Sequence, residues 1–192
     1  MRRVAVVLGG GRSSRMGLDK LTLRIGGRPL LARCVDAALA WAPRVVVAGD
    51  EPEDWAGDSR VRFRREDPPF GGPVAGIAAA LALVEDADEV LILAGDLAHP
   101  DAAVGLLATA DAGLDGVVLE DADGWPQYLA GRYAGGPLRR AVARLDGDQD
   151  VSVRRLMRAM DVARLRAPEA ATRDLDTPEV AKLAGAEHPH LR

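Results

Sequence analysis

Val4-Ala5-Val6-Val7-Leu8-Gly9-Gly10-Gly11-Arg12-Ser13-Ser14-Arg15-Met16-Gly17-Leu18-Asp19-Lys20 is the stretch on which the reading of this chain turns. Its first five residues are apolar and rich in valine, and three glycines halt the run, the pattern of a strand buried on both faces of a parallel sheet. Glycine lets the backbone take positive φ and lets a ligand approach without meeting a Cβ. Successive N–H groups in such a bend make a concave anion site. Arg15 and Lys20 add positive charge suited to phosphate oxygens. A strand feeding this loop therefore predicts a phosphate-binding edge.

Working outward, Pro29 opens an apolar-periodic helix through about Trp41, with proline at a favoured first position. Val45–Val47 and Val61–Phe63 read as strands. Gly72-Pro73 begins an Ala/Leu-rich helix to about Val84, and Val90–Leu93 is a strand ending at Gly95-Asp96. Gly116–Leu119 and Tyr128–Arg132 are further strands, with helices near 137–145 and 152–160. Alternating strands and helices predict an α/β, Rossmann-like fold with a mostly parallel sheet covered on both faces. One domain is expected over residues 1–184, with 185–192 as a frayed tail that carries His188 and His190. Ligands of such sheets sit beyond the carboxyl ends of the strands. The Gly9 loop, Asp67 and Asp96 each follow a predicted strand, so they are expected to meet at one edge.

Composition narrows the function classes. The 192 residues carry a net charge of −4, which argues against general affinity for nucleic acid or anionic membrane. Cys34 is the sole cysteine, so an intrachain disulfide and a cysteine-based zinc site are excluded. Leu30, Leu31, Val35 and Leu39 flank it at helical spacing, which predicts a buried, inert thiol. The apolar run after Met1-Arg2-Arg3 ends at Leu8, too short for a signal core, and no span approaches membrane length; a cytoplasmic protein is expected.

Two common phosphate motifs fail on the glycine loop. The dinucleotide fingerprint G-x-G-x-x-G would need glycine where Ser14 stands, and the loop is longer than a Rossmann turn. A Walker A loop would need lysine directly after its last glycine, whereas Lys20 lies three residues beyond Gly17 and precedes Leu21. The loop instead resembles the signature of the MobA-like nucleotidyltransferases, L-A-G-G-x-x-x-R-M-G-x-D-K in the molybdenum cofactor guanylyltransferases. Leu8, Gly10, Gly11, Arg15, Met16, Gly17, Asp19 and Lys20 match it, and Gly9 replaces alanine. Gly27-Arg28-Pro29-Leu30, Glu66-Asp67 followed by Gly72-Pro73-Val74-Ala75-Gly76-Ile77, Gln127, Val153–Met157 and Asp174–Glu179 extend the resemblance along the chain.

The resemblance implies a Mg²⁺-dependent transfer of GMP from GTP to a phosphorylated acceptor, molybdopterin, with release of pyrophosphate. It places Leu8, Gly9, Gly10, Gly11 and Lys20 on the nucleotide, Arg15 and Lys20 in catalysis, and Asp67 on the guanine edge. Asp96, beyond a buried strand, takes the role of magnesium ligand, since Mg²⁺ is held by one or two carboxylates together with substrate phosphates. Asp174 and Asp176 read equally as acceptor or second metal contacts and as a helix cap before Thr177-Pro178. Ala48 departs from the family's asparagine at the end of the second strand. Three alternatives stay open: CTP as donor to molybdopterin, GTP transfer to another phosphorylated acid, and a noncatalytic nucleotide sensor.

Overall fold

The computed structural model describes residues 1–9, 23–145, 147–175 and 185–187. In chain order the elements are β1 (Arg3–Leu8), β2 (Arg24–Ile25), β3 (Arg28–Pro29), α1 (Leu30–Trp41), β4 (Val45–Ala48), β5 (Val61–Phe63), α2 (Pro73–Leu81) and β6 (Glu89–Ala94). There follow α3 (Pro100–Thr109), β7 (Gly116–Glu120), β8 (Pro126–Ala134), α4 (Gly135–Ala143), α5 (Val153–Met157), β9 (Val162–Arg166), α6 (Glu169–Thr172) and β10 (Ala186–Glu187).

Seven strands form one sheet in the order β5-β4-β1-β6-β8-β7-β9. The chain leaves β1 toward β4 and β5 and then crosses back to β6 on the other side, so β1 is flanked by parallel partners on both edges. Alternation along each strand divides the core. Ala5, Val7, Val45, Val47, Leu91 and Leu93 face a layer built from α1, α3 and α6. Val4, Val6, Val46, Val90 and Ile92 face the opposite layer of α2, α4 and α5. The expected α/β fold, mostly parallel and covered on both faces, is the fold observed.

The differences have local causes. β8 runs antiparallel to β6 and β7, because a short turn joins β7 to β8 and only antiparallel strands can be joined that way. Asp121 closes that turn: its carboxylate accepts from Asp123 N (3.0 Å), Trp125 N (2.9 Å) and Gln127 Nε2 (2.6 Å). These bonds, the one from Trp125 foremost, hold its carboxyl below the usual range. α3 and β9 escape a reading by periodicity. α3 is rich in alanine, with a weak apolar stripe, and β9 alternates apolar residues with Arg164 and Arg166 at the sheet edge. α1 begins at Leu30 with Pro29 as its N-cap, one residue later than expected. A small second sheet, β10-β2-β3, places Ala186 and Glu187 beside β2; residues 188–192 lie outside the described residues.

At the amino ends of the strands, Glu89 accepts from Arg132 Nη1 (2.7 Å) and Arg3 Nε (3.1 Å). The pair of Glu89 and Arg132 is largely buried, so each charge depends on the other to offset its desolvation. Ile92 is fully buried at the centre of β6. Ile92→Ala is expected to lower the unfolding free energy by about 2–5 kcal/mol, read as a lower urea midpoint with an unchanged slope.

Candidate active site

The carboxyl ends of β1, β4 and β6 open into a cavity of about 1880 Å³. Main-chain hydrogen bonds hold these ends together beyond the ladder: Gly9 N donates to Ala48 O at 3.0 Å and Gly95 N donates to Leu8 O at 3.1 Å. Leu8, Gly9, Ala48, Gly76 and Asp96 line the opening. The glycine at position 9 has a packing cause, since a Cβ there would lie 2.5 Å from Val47 Cγ1. Gly76, in the first turns of α2, also lies close to the sheet; its Cβ would stand 3.2 Å from that of Ala48.

Asp96 follows β6 and is half-buried. The C-terminal segment returns beside it: Leu97 and Asp174 form an antiparallel bridge, Ala98 N donates to Arg173 O (3.0 Å) and Leu175 N donates to Asp96 O (3.1 Å). Two carboxylate-bearing residues far apart in sequence therefore become neighbours at the mouth of the sheet. Beneath them Cys34 Sγ donates to Ala94 O at 3.5 Å. Burial first, and then the negative charge of Asp96 with a smaller contribution from Asp174, pushes the thiol up to about 12. The thiol thus stays protonated and is no nucleophile, in keeping with the inert reading of its flanking residues.

The loop after β5 forms the neighbouring wall. Arg64 N donates to Val47 O (2.9 Å) and Gly49 N to Arg64 O (3.1 Å), which continues the pairing with the β4 end. Arg65 pairs with Asp50 and lays its guanidinium 4.5 Å from the centre of the Phe70 ring. Phe70 N donates to Glu66 Oε1 at 2.9 Å, and Phe70 adopts φ of 69°. Glu66, Pro69 and Phe70 line the cavity, whereas Asp67 is exposed between them and is not among the lining residues.

The structure thus brings Leu8, Gly9, Asp96 and Asp174 to one edge, with Asp67 on the adjoining loop. Gly10, Gly11, Arg15, Lys20 and Asp176 lie outside the described residues. Sequence reasoning missed Asp50, Arg65, Phe70 and Gln149, which all line the cavity. The first three belong to loops after predicted strands, a signal that could have found them. Gln149 sits in a loop that follows a helix, and no local pattern marks it.

Cys34 supplies a test of this layering. In the folded protein at pH 8 a maleimide should leave it unmodified, with full labelling once denaturant is added. Rapid labelling of the native chain would contradict a buried, protonated thiol under Asp96.

The model of the MobA-like NTP transferase domain matches residues 5–165. A probable molybdenum cofactor guanylyltransferase of Synechococcus elongatus is 40% identical over 101 residues, covering 50% of this chain and 52% of that protein. A molybdenum cofactor guanylyltransferase of Xanthomonas euvesicatoria pv. vesicatoria is 44% identical over 94 residues, 48% of this chain and 46% of that one. In these alignments the chain spans about half the length of the curated relatives it matches. Among solved structures, a homologue of Mycobacterium tuberculosis Rv0371c from Mycobacterium sp. strain JC1 superposes with a TM-score of 0.72 at 24% identity, over 96% of this chain and 97% of that one, a likeness of fold. With the family model covering the whole sheet up to β9 and the cavity at the ends of β1, β4 and β6, the chain belongs to the MobA-like NTP transferase family.

Proposed function

We propose that this chain transfers GMP from GTP to the phosphate of molybdopterin and releases pyrophosphate, in a reaction that depends on Mg²⁺. The observation that carries the reading is the meeting of the Gly9 edge with Asp96 and Asp174 at the carboxyl ends of β1 and β6. The cavity volume of about 1880 Å³ exceeds the roughly 300–1,000 Å³ of a pocket for one small molecule, which suits a donor and an acceptor held together.

Asp96 and Asp174 fit a hard divalent cation by their chemistry. No cluster of three or more histidine, cysteine or acidic residues suited to a metal occurs among the described residues. A site of one or two carboxylates is what Mg²⁺ uses when substrate phosphates complete its shell. When bound there, it would neutralise charge on the phosphates.

The protein's own groups do the rest. Backbone N–H groups of Gly9, Gly10 and Gly11 hold the β- and γ-phosphates, and Arg15 adds charge beside them. An oxygen of the acceptor phosphate attacks the α-phosphorus, the bond from that phosphorus to the bridging oxygen breaks, and pyrophosphate carries away the electron pair. Lys20 neutralises charge on the α-phosphate during this step. An anionic phosphate needs no side-chain base, so placement and electrostatics supply the catalysis. Asp67, on the exposed loop beside the cavity, accepts from N1–H and N2–H₂ of guanine. Asp174 and Asp176 are assigned to the acceptor or to a second contact with the metal. No helix among the described residues is long and apolar enough to cross a membrane; we place the enzyme in the cytoplasm with its nucleotide substrate.

Asp96→Ala and Lys20→Ala are expected to fold as the parent does by circular dichroism, and to lose about 10²–10³-fold in pyrophosphate release. Activity within a few-fold of the parent would remove both roles. In a thermal-shift comparison with Mg²⁺ present, GTP should raise the melting temperature more than CTP or ATP; a larger shift with CTP would replace the guanine assignment with a cytidine one. GTP binding with no pyrophosphate released when molybdopterin is supplied would mark a sensor in place of a transferase.

A further inference from the structure

Beside the α2 end of the cavity a loop from elsewhere in the chain is fastened against the wall. Asp150 N donates to Gly71 O at 2.8 Å, and Asp150 takes φ of 55°, a left-handed conformation that aspartate tolerates. This turn aims the preceding side chain at Gly71. A Cβ built on Gly71 would lie 2.5 Å from Gln149 Oε1, 2.6 Å from Nε2 and 2.7 Å from Cδ, so the carboxamide rests flat on the glycine Cα. Gly71 has no positive φ to demand glycine, so its lack of a side chain serves this contact.

Gln149 lines the cavity, and its carboxamide makes no hydrogen bond within the protein among the described residues. The other described lining side chains offer carboxylates, guanidinium groups, the Trp55 indole N–H and apolar surface. Gln149 is therefore the one described lining residue whose side chain is uncharged and both donates and accepts. A ring edge that presents both a donor and an acceptor is recognised by such a group, because its unmet hydrogen bonds penalise rings of the wrong pattern.

We infer that Gln149, seated on Gly71, is a specificity-determining residue that hydrogen-bonds the amino-oxo-pyrimidine edge of a heteroaromatic ring held in the cavity. Guanine and a pterin share that edge, so the ring belongs either to the donor nucleotide or to the acceptor. The inference rests on the transferase reading for the identity of these ligands, and it is tested by equilibrium binding rather than by turnover.

Three variants address it: Gln149→Ala, Gln149→Glu, which keeps the size and loses the donor, and Gly71→Ala, whose methyl displaces the carboxamide. Calorimetry compares GTP with ATP in the presence of Mg²⁺, and fluorescence titration measures molybdopterin. If the ring is the nucleobase, Gln149→Ala and Gly71→Ala each reduce the preference for GTP over ATP about 10-fold and leave molybdopterin affinity alone. If the ring is the pterin, both weaken molybdopterin about 10-fold and leave the GTP to ATP ratio alone. In either case Gln149→Glu loses the bond to the ring's carbonyl oxygen but keeps acceptors for its N–H groups, so it weakens discrimination no more than Gln149→Ala does. The double Gly71→Ala, Gln149→Ala variant is no weaker than the singles, since both act through one side chain. Variants that fold as the parent does and leave the GTP to ATP ratio and molybdopterin affinity both unchanged would overturn the inference. A parent chain that binds these ligands without releasing pyrophosphate would instead overturn the transferase reading alone.

Discussion

Two main-chain hydrogen bonds, from Gly9 N to Ala48 O and from Gly95 N to Leu8 O, hold the ends of three parallel strands in one line. Everything at the site follows from that line. β1 is the strand from which the chain winds outward in both directions, and its flanking crossovers leave a crevice at its carboxyl end. The packing beneath the crevice is tight: a methyl at Gly9 would collide with Val47, and α2 approaches the sheet through Gly76 and Ala48. The end of β1 at Gly9 is thereby set against a tightly packed floor.

The electrostatic character of the crevice comes from groups that arrive by different routes. Asp96 is delivered by the end of β6, and Asp174 by a C-terminal segment that returns to bridge Leu97. Their negative charge is felt by the Cys34 thiol below, which burial and these carboxylates together keep protonated. On the far wall the cations are engaged otherwise: Arg65 is tied to Asp50 and covers Phe70. The described part of the cavity is therefore richer in carboxylates than in available cations. The family to which the chain belongs is one of NTP transferases, and under the proposed function Arg15, Lys20 and a divalent ion would supply the positive charge that a triphosphate requires.

Much of this is legible in the sequence. Val4–Leu8, Val45–Val47, Val61–Phe63 and Val90–Leu93 are short apolar runs whose length and valine content identify buried strands, and each stands where it was expected. α2 opens at Pro73 behind Gly72, as its sequence announces. What escaped has weaker local signal. α3 spreads alanines among Val104, Leu106 and Leu107, which blurs its apolar stripe, and β9 earns its place by pairing with β7 at an edge while Arg164 and Arg166 alternate along it. Asp67 illustrates the limit at the site: its position after a strand was readable, but its exposure between lining neighbours depends on how the loop folds over Arg65 and Phe70.

By itself the sequence determined the alternation of strands and helices, the glycine loop after the first strand, the carboxylate at the end of β6 and the family they indicate, because each is written in contiguous residues whose periodicity or spacing has a local cause. Only the tertiary structure decided that Asp174 would lie beside Asp96, that β8 would run against its neighbours, and that Gln149 would rest on Gly71. These are pairings across long stretches of chain, made by packing and by main-chain hydrogen bonds between segments that carry no mark of one another.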